Sequence, residues 1–117
     1  MSKNNQTYIE YDSEYNVDDF KKLYHPPIEH NCRGLYFLFQ NNILLYIGYS
    51  VHLHERIKSH LRGETNTRRF YQKINSIKFI FDESIDNLRE QLGLVGQCDI
   101  EYYLINKIKP KYNIKKY

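Results

Sequence analysis

The chain has 117 residues and a formal net charge of +3, with 41% hydrophobic and 26% charged residues. This length suits one domain whose core needs no disulfide or structural metal. Cys32 and Cys98 lack zinc-site spacing, so we expect reduced cysteines, with one bridge between them as the alternative. No long apolar run or charged-then-apolar leader is present, so we expect no membrane span, no secretory signal and a cytoplasmic location, or a nuclear one in a eukaryotic cell.

The first thirty residues differ in charge from the rest. Residues 1–30 hold three basic and six acidic residues, whereas residues 31–117 hold fourteen basic and eight acidic ones. We therefore predict an acidic N-terminal arm, frayed to about residue 13, followed by the main domain. Asn16 or Asp18 is a candidate cap for a short helix that a Pro-Pro pair ends. The arm either packs on the domain, keeps it in solution, or folds over its basic face and competes with nucleic acid.

A β-hairpin is predicted next, because apolar residues alternate along 35–39 and 43–47. The odd-numbered residues would form one unbroken apolar face. Matching the two apolar sets requires a three-residue turn, 40–42, which places Tyr36 opposite Tyr46. A two-residue turn would instead pair Tyr36 with the residue after Tyr46. Cross-strand packing explains a tyrosine pair as well as function does.

An amphipathic helix follows, with Ser50 as its predicted N-cap and Gly63 beyond its end. Its core-facing stripe is Leu53, Ile57 and Leu61. A polar ridge of His52, Arg56 and His60 has the same spacing, one residue earlier. Arginine binds phosphate oxygens with a planar fork of donors, and His or Tyr can move a proton, so this ridge beside tyrosines suits a phosphodiester site. A solvated helix face is the alternative for each residue alone.

Basic residues cluster between Arg56 and Lys73, a stretch with six basic residues and one acidic residue. Such a cluster beside a candidate phosphate site favours a polyanion bound through its backbone, in a salt-sensitive manner. A surface that is basic by chance explains the charge but not its position. The cluster contains Arg56, Lys58, Arg62, Arg68, Arg69 and Lys73.

The remaining elements are predicted from periodicity. A second helix passes through residues 69–74, and alternation over residues 76–81 indicates a third strand. Residues 82–94 do not distinguish a helical turn from a loop. A last helix runs from about residue 97 to 107 and is stopped by Pro110.

Glu101 lies one position off the apolar stripe of that last helix. A carboxylate at the edge of a core needs a cation, and a hard divalent ion is one such partner. A surface ion pair with Lys107 or Arg89 is the simpler alternative on the residues alone.

Several of these residues resemble the motifs of the GIY-YIG nuclease domain. Residues 34–36 read Gly-Leu-Tyr, with Leu for the usual Ile, and residues 46–48 read Tyr-Ile-Gly, followed by Arg56 and His60. Glu101 and the Asn113 of Lys-Pro-Lys-Tyr-Asn resemble the family's acidic metal ligand and C-terminal Asn. The resemblance covers Gly34 to about Asn113 and leaves the arm unexplained. It implies an α/β (α+β) domain with a three-stranded antiparallel sheet flanked by helices.

The resemblance also implies a DNA endonuclease that uses one Mg²⁺ or Mn²⁺ ion held by Glu101. Arg56 would bind a nonbridging phosphate oxygen. Tyr36 is the first candidate for proton acceptor or water-orienting group and Tyr46 the second, with His60 as a relay or, alternatively, the main base. Asn113 would hold a tyrosine or a phosphate, or simply end a turn. Predicted contacts to the substrate backbone are Lys58, Arg62, Arg68, Arg69 and Lys73.

Two other classes compete with this interpretation. One is a nucleic-acid-binding module that no longer cuts. The other is a different hydrolase with a metal held by histidines, for which the spacings of His25, His30, His52, His54 and His60 give little support. The expected partner is double-stranded or branched DNA, with a targeting protein or DNA shape supplying specificity. Oligomeric state and target do not follow from the sequence.

Overall fold

Four strands form one antiparallel sheet packed with four α-helices in the computed structural model, which describes residues 9–23, 33–93 and 99–113. The elements are β1 (Ser13–Asn16), α1 (Val17–Lys21), β2 (Gly34–Gln40), β3 (Ile43–Ser50), α2 (Leu53–Leu61), β4 (Ser76–Phe81), α3 (Asp82–Gln91) and α4 (Ile100–Ile108). Two short 3₁₀ helices, Asn66–Arg69 and Tyr71–Lys73, connect α2 to β4. The strand order is β1-β4-β2-β3.

The sheet has four strands where three were predicted, because part of the acidic arm forms β1 beside β4. The Asp12 carboxylate accepts hydrogen bonds from the Phe81 N–H at 2.8 Å and the Ser84 hydroxyl at 2.9 Å. Tyr11 packs edge-on against Phe37, with ring centroids 4.9 Å apart. The expected fraying is therefore wrong for residues 9–13. A polar edge strand buries only one face, so its sequence carries little hydrophobic pattern.

The short helix α1 follows β1, and its predicted cap is confirmed. The Asn16 side chain accepts a hydrogen bond from the Asp19 N–H at 2.8 Å. Phe20 is buried and belongs to the core. The Pro-Pro pair predicted to end this helix lies outside the described residues, as do Cys32 and Cys98.

Strand β2 is buried on both faces, so the prediction of a single apolar face is wrong. Tyr36 and Leu38 join the core beneath α2, where the predicted stripe Leu53, Ile57 and Leu61 is buried as expected. On the opposite face of the sheet, the odd-numbered residues of β2 pack with α3 and α4. A central strand covered by helices on both sides reads as a continuous apolar run.

The hairpin register also differs from the prediction. Gln40 pairs with Ile43, so the turn has two residues, and Asn41 adopts a φ of 57°. A β-bulge after Leu38 then shifts the pairing, so that Tyr36 lies opposite Gly48 and Tyr46 opposite Leu38. The predicted direct tyrosine pair is wrong. Tyr36 and Tyr46 nevertheless share one face, and their ring centroids lie 6.3 Å apart.

Several helix boundaries are corrected. The N-cap of α2 is His52 rather than Ser50, whose hydroxyl accepts the His52 N–H at 2.9 Å. The predicted second helix consists of the two 3₁₀ helices, and the ambiguous residues after β4 form α3. Asp99 caps α4 by accepting the Tyr102 N–H at 3.2 Å. Among the described helices, none has the length and apolar content needed to cross a bilayer.

Candidate active site

The cleft between β2, β3, α2 and α4 holds a cavity of about 510 Å³. Five residues predicted to be catalytic line it: Tyr36, Tyr46, Arg56, His60 and Glu101. They come from four separate elements. Unpredicted lining residues are Tyr49, Glu64, Thr65 and Asn66. The five predicted residues therefore bring two phenols, a guanidinium, an imidazole and a carboxylate to one cavity.

Tyr36 and His60 form a buried pair at the base of the cavity. They are 3% and 1% exposed, and the Tyr36 hydroxyl lies 2.7 Å from His60 Nε2. Burial raises the pKa of Tyr36, and the neighbouring Tyr46 adds to this effect. Burial and the Arg56 charge lower the pKa of His60 to about 4. Both side chains are therefore neutral near pH 7.

Contacts with two threonines favour one of the two tautomers of His60. The Thr67 hydroxyl donates to the His60 carbonyl oxygen at 2.8 Å, since a carbonyl can only accept. The Thr65 hydroxyl, 3.0 Å from that of Thr67, must then donate to it. With its own proton used, Thr65 can only accept from His60 Nδ1, at 2.6 Å. This network favours the tautomer in which Nδ1 carries the proton and Nε2 accepts from the Tyr36 hydroxyl.

Tyr46 is held at the side of the cavity. The Asn66 side-chain amide donates to the Tyr46 hydroxyl oxygen at 2.8 Å. Burial raises the pKa of Tyr46, although the Asn66 hydrogen bond opposes this effect. Because the hydroxyl oxygen accepts from Asn66, the hydroxyl proton of Tyr46 can be donated to a bound group.

Glu101 fits a divalent cation better than the surface ion pair considered from sequence. Its carboxylate is partly buried, and burial followed by the charge of Asp99 raises its pKa. No hydrogen bond or ion pair joins it to another side chain in residues 9–23, 33–93 or 99–113. Arg89 instead pairs with Asp86 at 3.3 Å. A partly buried carboxylate without a compensating cation suits a hard metal ion.

A single carboxylate ligand is compatible with Mg²⁺, which usually keeps several waters and binds substrate phosphates. Within the described part of the chain, no group of three or more His, Cys, Asp or Glu side chains is placed to hold a metal. This finding gives no support to a histidine metal set, although His25 and His30 lie outside the described residues.

Asn113 holds the backbone of β3 rather than a tyrosine side chain. Its side chain accepts the Ile47 N–H at 2.8 Å and donates to the Ile47 carbonyl at 3.0 Å. The neighbouring N–H groups of Lys111 and Tyr112 donate to Leu44 and Leu45 carbonyls. Residues 111–113 thus fix the strand segment that carries Tyr46.

The predicted substrate contacts lie outside this cavity. Lys58 is partly exposed on α2, whereas Arg68, Arg69 and Lys73 are exposed on the two 3₁₀ helices. Arg62 forms a two-point ion pair with Glu64, at 3.0 and 3.1 Å. An exposed pair of this kind is weak, so it leaves Arg62 available to another anion.

The described part of the acidic arm does not cover the cavity. None of residues 9–23 lines it, and β1 lies at the sheet edge farthest from β3. For residues 1–8 and 24–30, competition with nucleic acid stays a prediction.

Sequence reasoning missed Thr65, Thr67 and Tyr49. The run Thr-Asn-Thr after the helix stop is a recognisable cluster of hydroxyl and amide groups, but its partners are distant in sequence. Tyr49 donates to both carboxylate oxygens of Asp82, at 2.9 and 3.1 Å. It interrupts no apolar pattern, so no local feature separates it from the other tyrosines.

Comparisons with known proteins agree on one fold. The profile of the GIY-YIG catalytic domain matches residues 32–113. The magnesium-bound crystal structure of the GIY-YIG N-terminal endonuclease domain of UvrC from Thermotoga maritima is 27% identical, with a TM-score of 0.52 over 72% of this chain and 85% of that one. A tyrosine-to-phenylalanine mutant of that domain, bound to its catalytic divalent cation, is 26% identical, with a TM-score of 0.51 over 73% and 86%. No curated protein is significantly similar in sequence.

Proposed function

The chain belongs to the GIY-YIG family, whose catalytic-domain profile spans residues 32–113, and from this premise we propose that it is an endonuclease that hydrolyses phosphodiester bonds in DNA. The observation that carries the proposal is the convergence of Tyr36, Tyr46, Arg56, His60 and Glu101 on one cavity. A phosphodiester requires a proton acceptor for the attacking water, cationic donors for the phosphate, and relief of charge on the leaving oxygen. This set of side chains supports all three.

Tyr36 and His60 form the proposed proton path. The attacking water gives a proton to the Tyr36 oxygen while Tyr36 passes its own proton to His60 Nε2, 2.7 Å away. Hydroxide attacks phosphorus while the bond from phosphorus to the leaving ester oxygen breaks, that oxygen takes a proton from solvent, and the imidazole returns its own proton to solvent. Because both transfers occur together, no free phenolate forms, and the raised pKa of Tyr36 is no obstacle. Tyr36 thus remains the residue nearest the water, and His60 receives the proton.

Arg56 and Tyr46 are the proposed donors to the phosphate. The Arg56 guanidinium is exposed on α2 and lines the cavity, so it can approach a nonbridging oxygen from the solvent side. Tyr46, oriented by Asn66, offers its hydroxyl proton to the same group or to the water. Glu101 would hold one Mg²⁺ or Mn²⁺, which when bound polarises the phosphate and stabilises the leaving oxygen.

The proposal is tested by nicking of supercoiled plasmid with Mg²⁺, in comparison with Glu101→Gln and with Glu90→Gln, an exposed glutamate on α3. We expect Glu101→Gln to lose at least about 100-fold in rate with unchanged DNA affinity, whereas Glu90→Gln stays active. Equal nicking by all three proteins contradicts the assignment. DNA retention without nicking by the wild type would instead indicate a binding module.

The substrate class is tested with linear, nicked, branched and single-stranded DNA of one sequence, assayed side by side. The cavity opens to solvent beside exposed basic residues. Such residues bind the phosphate backbone of DNA and do not read the edges of its nucleobases. We therefore expect weak sequence preference and a rate that depends on DNA structure. A single preferred sequence on linear duplex would contradict this expectation.

A further inference from the structure

A row of aromatic rings leads from the cavity to a second group of cations. Tyr46 and Phe70 have ring centroids 5.9 Å apart, and Phe70 stacks on Tyr112 at 4.2 Å with an interplanar angle of 4°. Around the end of this row lie Arg69, Lys73 and Lys111, and we call these three residues with Tyr112 the Tyr112 cluster. Neither the predicted catalytic set nor the proposed proton path includes Lys111 or Tyr112.

The lysines of the Tyr112 cluster are directed at the tyrosine ring. Lys73 Nζ donates to the Tyr112 hydroxyl at 3.2 Å and lies 5.8 Å from the ring centroid. Lys111 Nζ lies 5.6 Å from the same centroid. The Lys73 hydrogen bond, with the charges of Lys73, Lys111 and Arg69, lowers the pKa of Tyr112. Cation–π contacts of this kind hold flexible lysines near one point.

The three cations of the cluster have no anionic partner in the described part of the chain. No ion pair joins Arg69, Lys73 or Lys111 to a described carboxylate. Three like charges gathered without a counter-charge repel one another, and a bound polyanion removes that repulsion. The arrangement therefore favours a phosphate backbone over an uncharged ligand.

Distance relates the cluster to the cavity. The ring-to-ring steps of 5.9 and 4.2 Å place Tyr112 within about 10 Å of Tyr46. One strand of DNA carries a charge about every 3.4 Å along the helix axis. We propose that the Tyr112 cluster binds the DNA backbone one to three phosphates from the scissile one, an inference that rests on the proposed nuclease function. Its contacts fix the position of the strand and read no bases.

The test uses Lys73→Gln/Lys111→Gln and a matched control, Lys21→Gln/Lys22→Gln, which removes two exposed charges at the far sheet edge. Duplex affinity is measured in EDTA, without cleavage, over a series of salt concentrations. We expect the cluster variant to bind at least about tenfold more weakly, with a slope of log K against log salt reduced by about 1 to 2. Equal slopes for the two variants overturn the proposal.

A second experiment locates the contact between the cluster and the DNA backbone. Duplexes with one neutral methylphosphonate are tested at each position around the cut. Substitution one to three nucleotides away should weaken wild-type binding and leave binding by the cluster variant unchanged, because the variant has already lost that contact. Equal losses in both proteins overturn the inference while nicking by the wild type still supports the nuclease function. A wild type that neither binds nor cuts DNA would instead remove the nuclease function itself.

The hydroxyl pair beneath His60 supports a second inference, which also rests on the proposed function. We infer that Thr65 and Thr67 are positioning residues that keep Nε2 of His60 free to accept the Tyr36 proton. Thr67 is fully buried, and Thr65 accepts from the Thr67 N–H at 3.1 Å, so the hydroxyl directions are fixed. Neither residue needs to touch DNA.

This inference is tested by ¹⁵N NMR of the His60 ring and by single-turnover cleavage. In the wild type we expect a proton on Nδ1 and none on Nε2. Thr65→Val should populate the other tautomer and slow cleavage about 10- to 100-fold without changing DNA affinity, whereas Thr65→Ser should restore both. A protonated Nε2 in the wild type, or an unchanged tautomer in Thr65→Val, overturns it whether or not the protein cuts DNA.

Discussion

Gly48 lies directly beneath the ring of Tyr36. A Cβ atom at position 48 would come within 2.2 Å of Cζ and of the hydroxyl oxygen of that ring. Because Tyr36 is opposite Gly48 in the β2–β3 ladder, its ring crosses the neighbouring strand to reach His60. Gly34 has a related role at φ +152°, where a Cβ would approach the Ile80 carbonyl to 2.3 Å. Both glycines permit close approach of a neighbouring strand or ring.

We expect Gly48→Ala to displace the Tyr36 ring and break its hydrogen bond to His60. Overpacking at such a buried contact costs about 1–3 kcal/mol of unfolding free energy. Cleavage should fall more than about tenfold even where the protein remains folded. Urea unfolding and single-turnover cleavage measure the two effects. Gly93→Ala is the control for adding a methyl group to a glycine. A Cβ at position 93 meets no atom within 4 Å, and the backbone φ of +74° there adds only local strain. An active Gly48→Ala enzyme would contradict the proton path.

Tyr36→Phe keeps the ring and removes the hydroxyl. We expect cleavage to fall about 10²- to 10⁴-fold, as for loss of a proton-transfer group. Unfolding free energy should fall by about 1–3 kcal/mol, because His60 Nε2 loses its buried partner. Tyr11→Phe, which packs on Phe37 away from the cavity, should retain full activity. Retained cleavage in Tyr36→Phe would assign proton transfer to another group.

Stability should fall in mild acid because His60 is buried in its neutral form. Its pKa is about 4 in the folded protein and about 6.5 when unfolded. The unfolded chain then binds more protons between these values, so stability is complete above pH 6.5 and is lost as pH falls toward 4. From pH 7 to pH 5 we expect His60 to account for about 2 kcal/mol.

The comparison with His60→Gln isolates that contribution. The groups facing His60 are Tyr36, Tyr46, Arg56 and Glu101. Burial raises the pKa of both tyrosines, so they stay protonated between pH 5 and 7. Burial raises the pKa of Glu101, which opposes the trend but is present in both proteins. Urea unfolding at pH 7 and pH 5 should show a smaller loss in His60→Gln; parallel losses would contradict the assignment.

Asn113→Ala should loosen the strand that carries Tyr46. It removes two hydrogen bonds and leaves the N–H and carbonyl of Ile47 without their partner. We expect a loss of about 2–4 kcal/mol in unfolding free energy and faster hydrogen exchange at the Ile47 amide. Asn87→Ala, at an exposed position of α3, is the control. Unchanged exchange at Ile47 together with lost cleavage would indicate direct contact with the substrate.

Much of the site follows from sequence because its residues lie on regular elements with clear periodicity. The stripe of α2 places His60 and Arg56 on neighbouring turns, and the spacing of α4 brings Glu101 to the edge of the core. The hairpin register does not follow, because a bulge leaves Leu45 of β3 unpaired between the partners of Leu38 and Phe39, and it has no local sequence signature. The role of Thr65 does not follow from sequence either, since it depends on contacts with the His60 ring and with the Thr67 hydroxyl.

Strand β1 has a further consequence for the rest of the sheet. It occupies the hydrogen-bonding edge of β4, whose sequence Ser-Ile-Lys-Phe-Ile-Phe combines strong strand propensity with little charge. An open edge of that composition is a template for pairing with other chains. A protein that begins at residue 32, where the match to the family begins, lacks β1 and should therefore aggregate. Light scattering during refolding would detect the aggregates. The acidic arm would thus prevent self-association by covering the edge of β4, a property that no assay of DNA cleavage would detect.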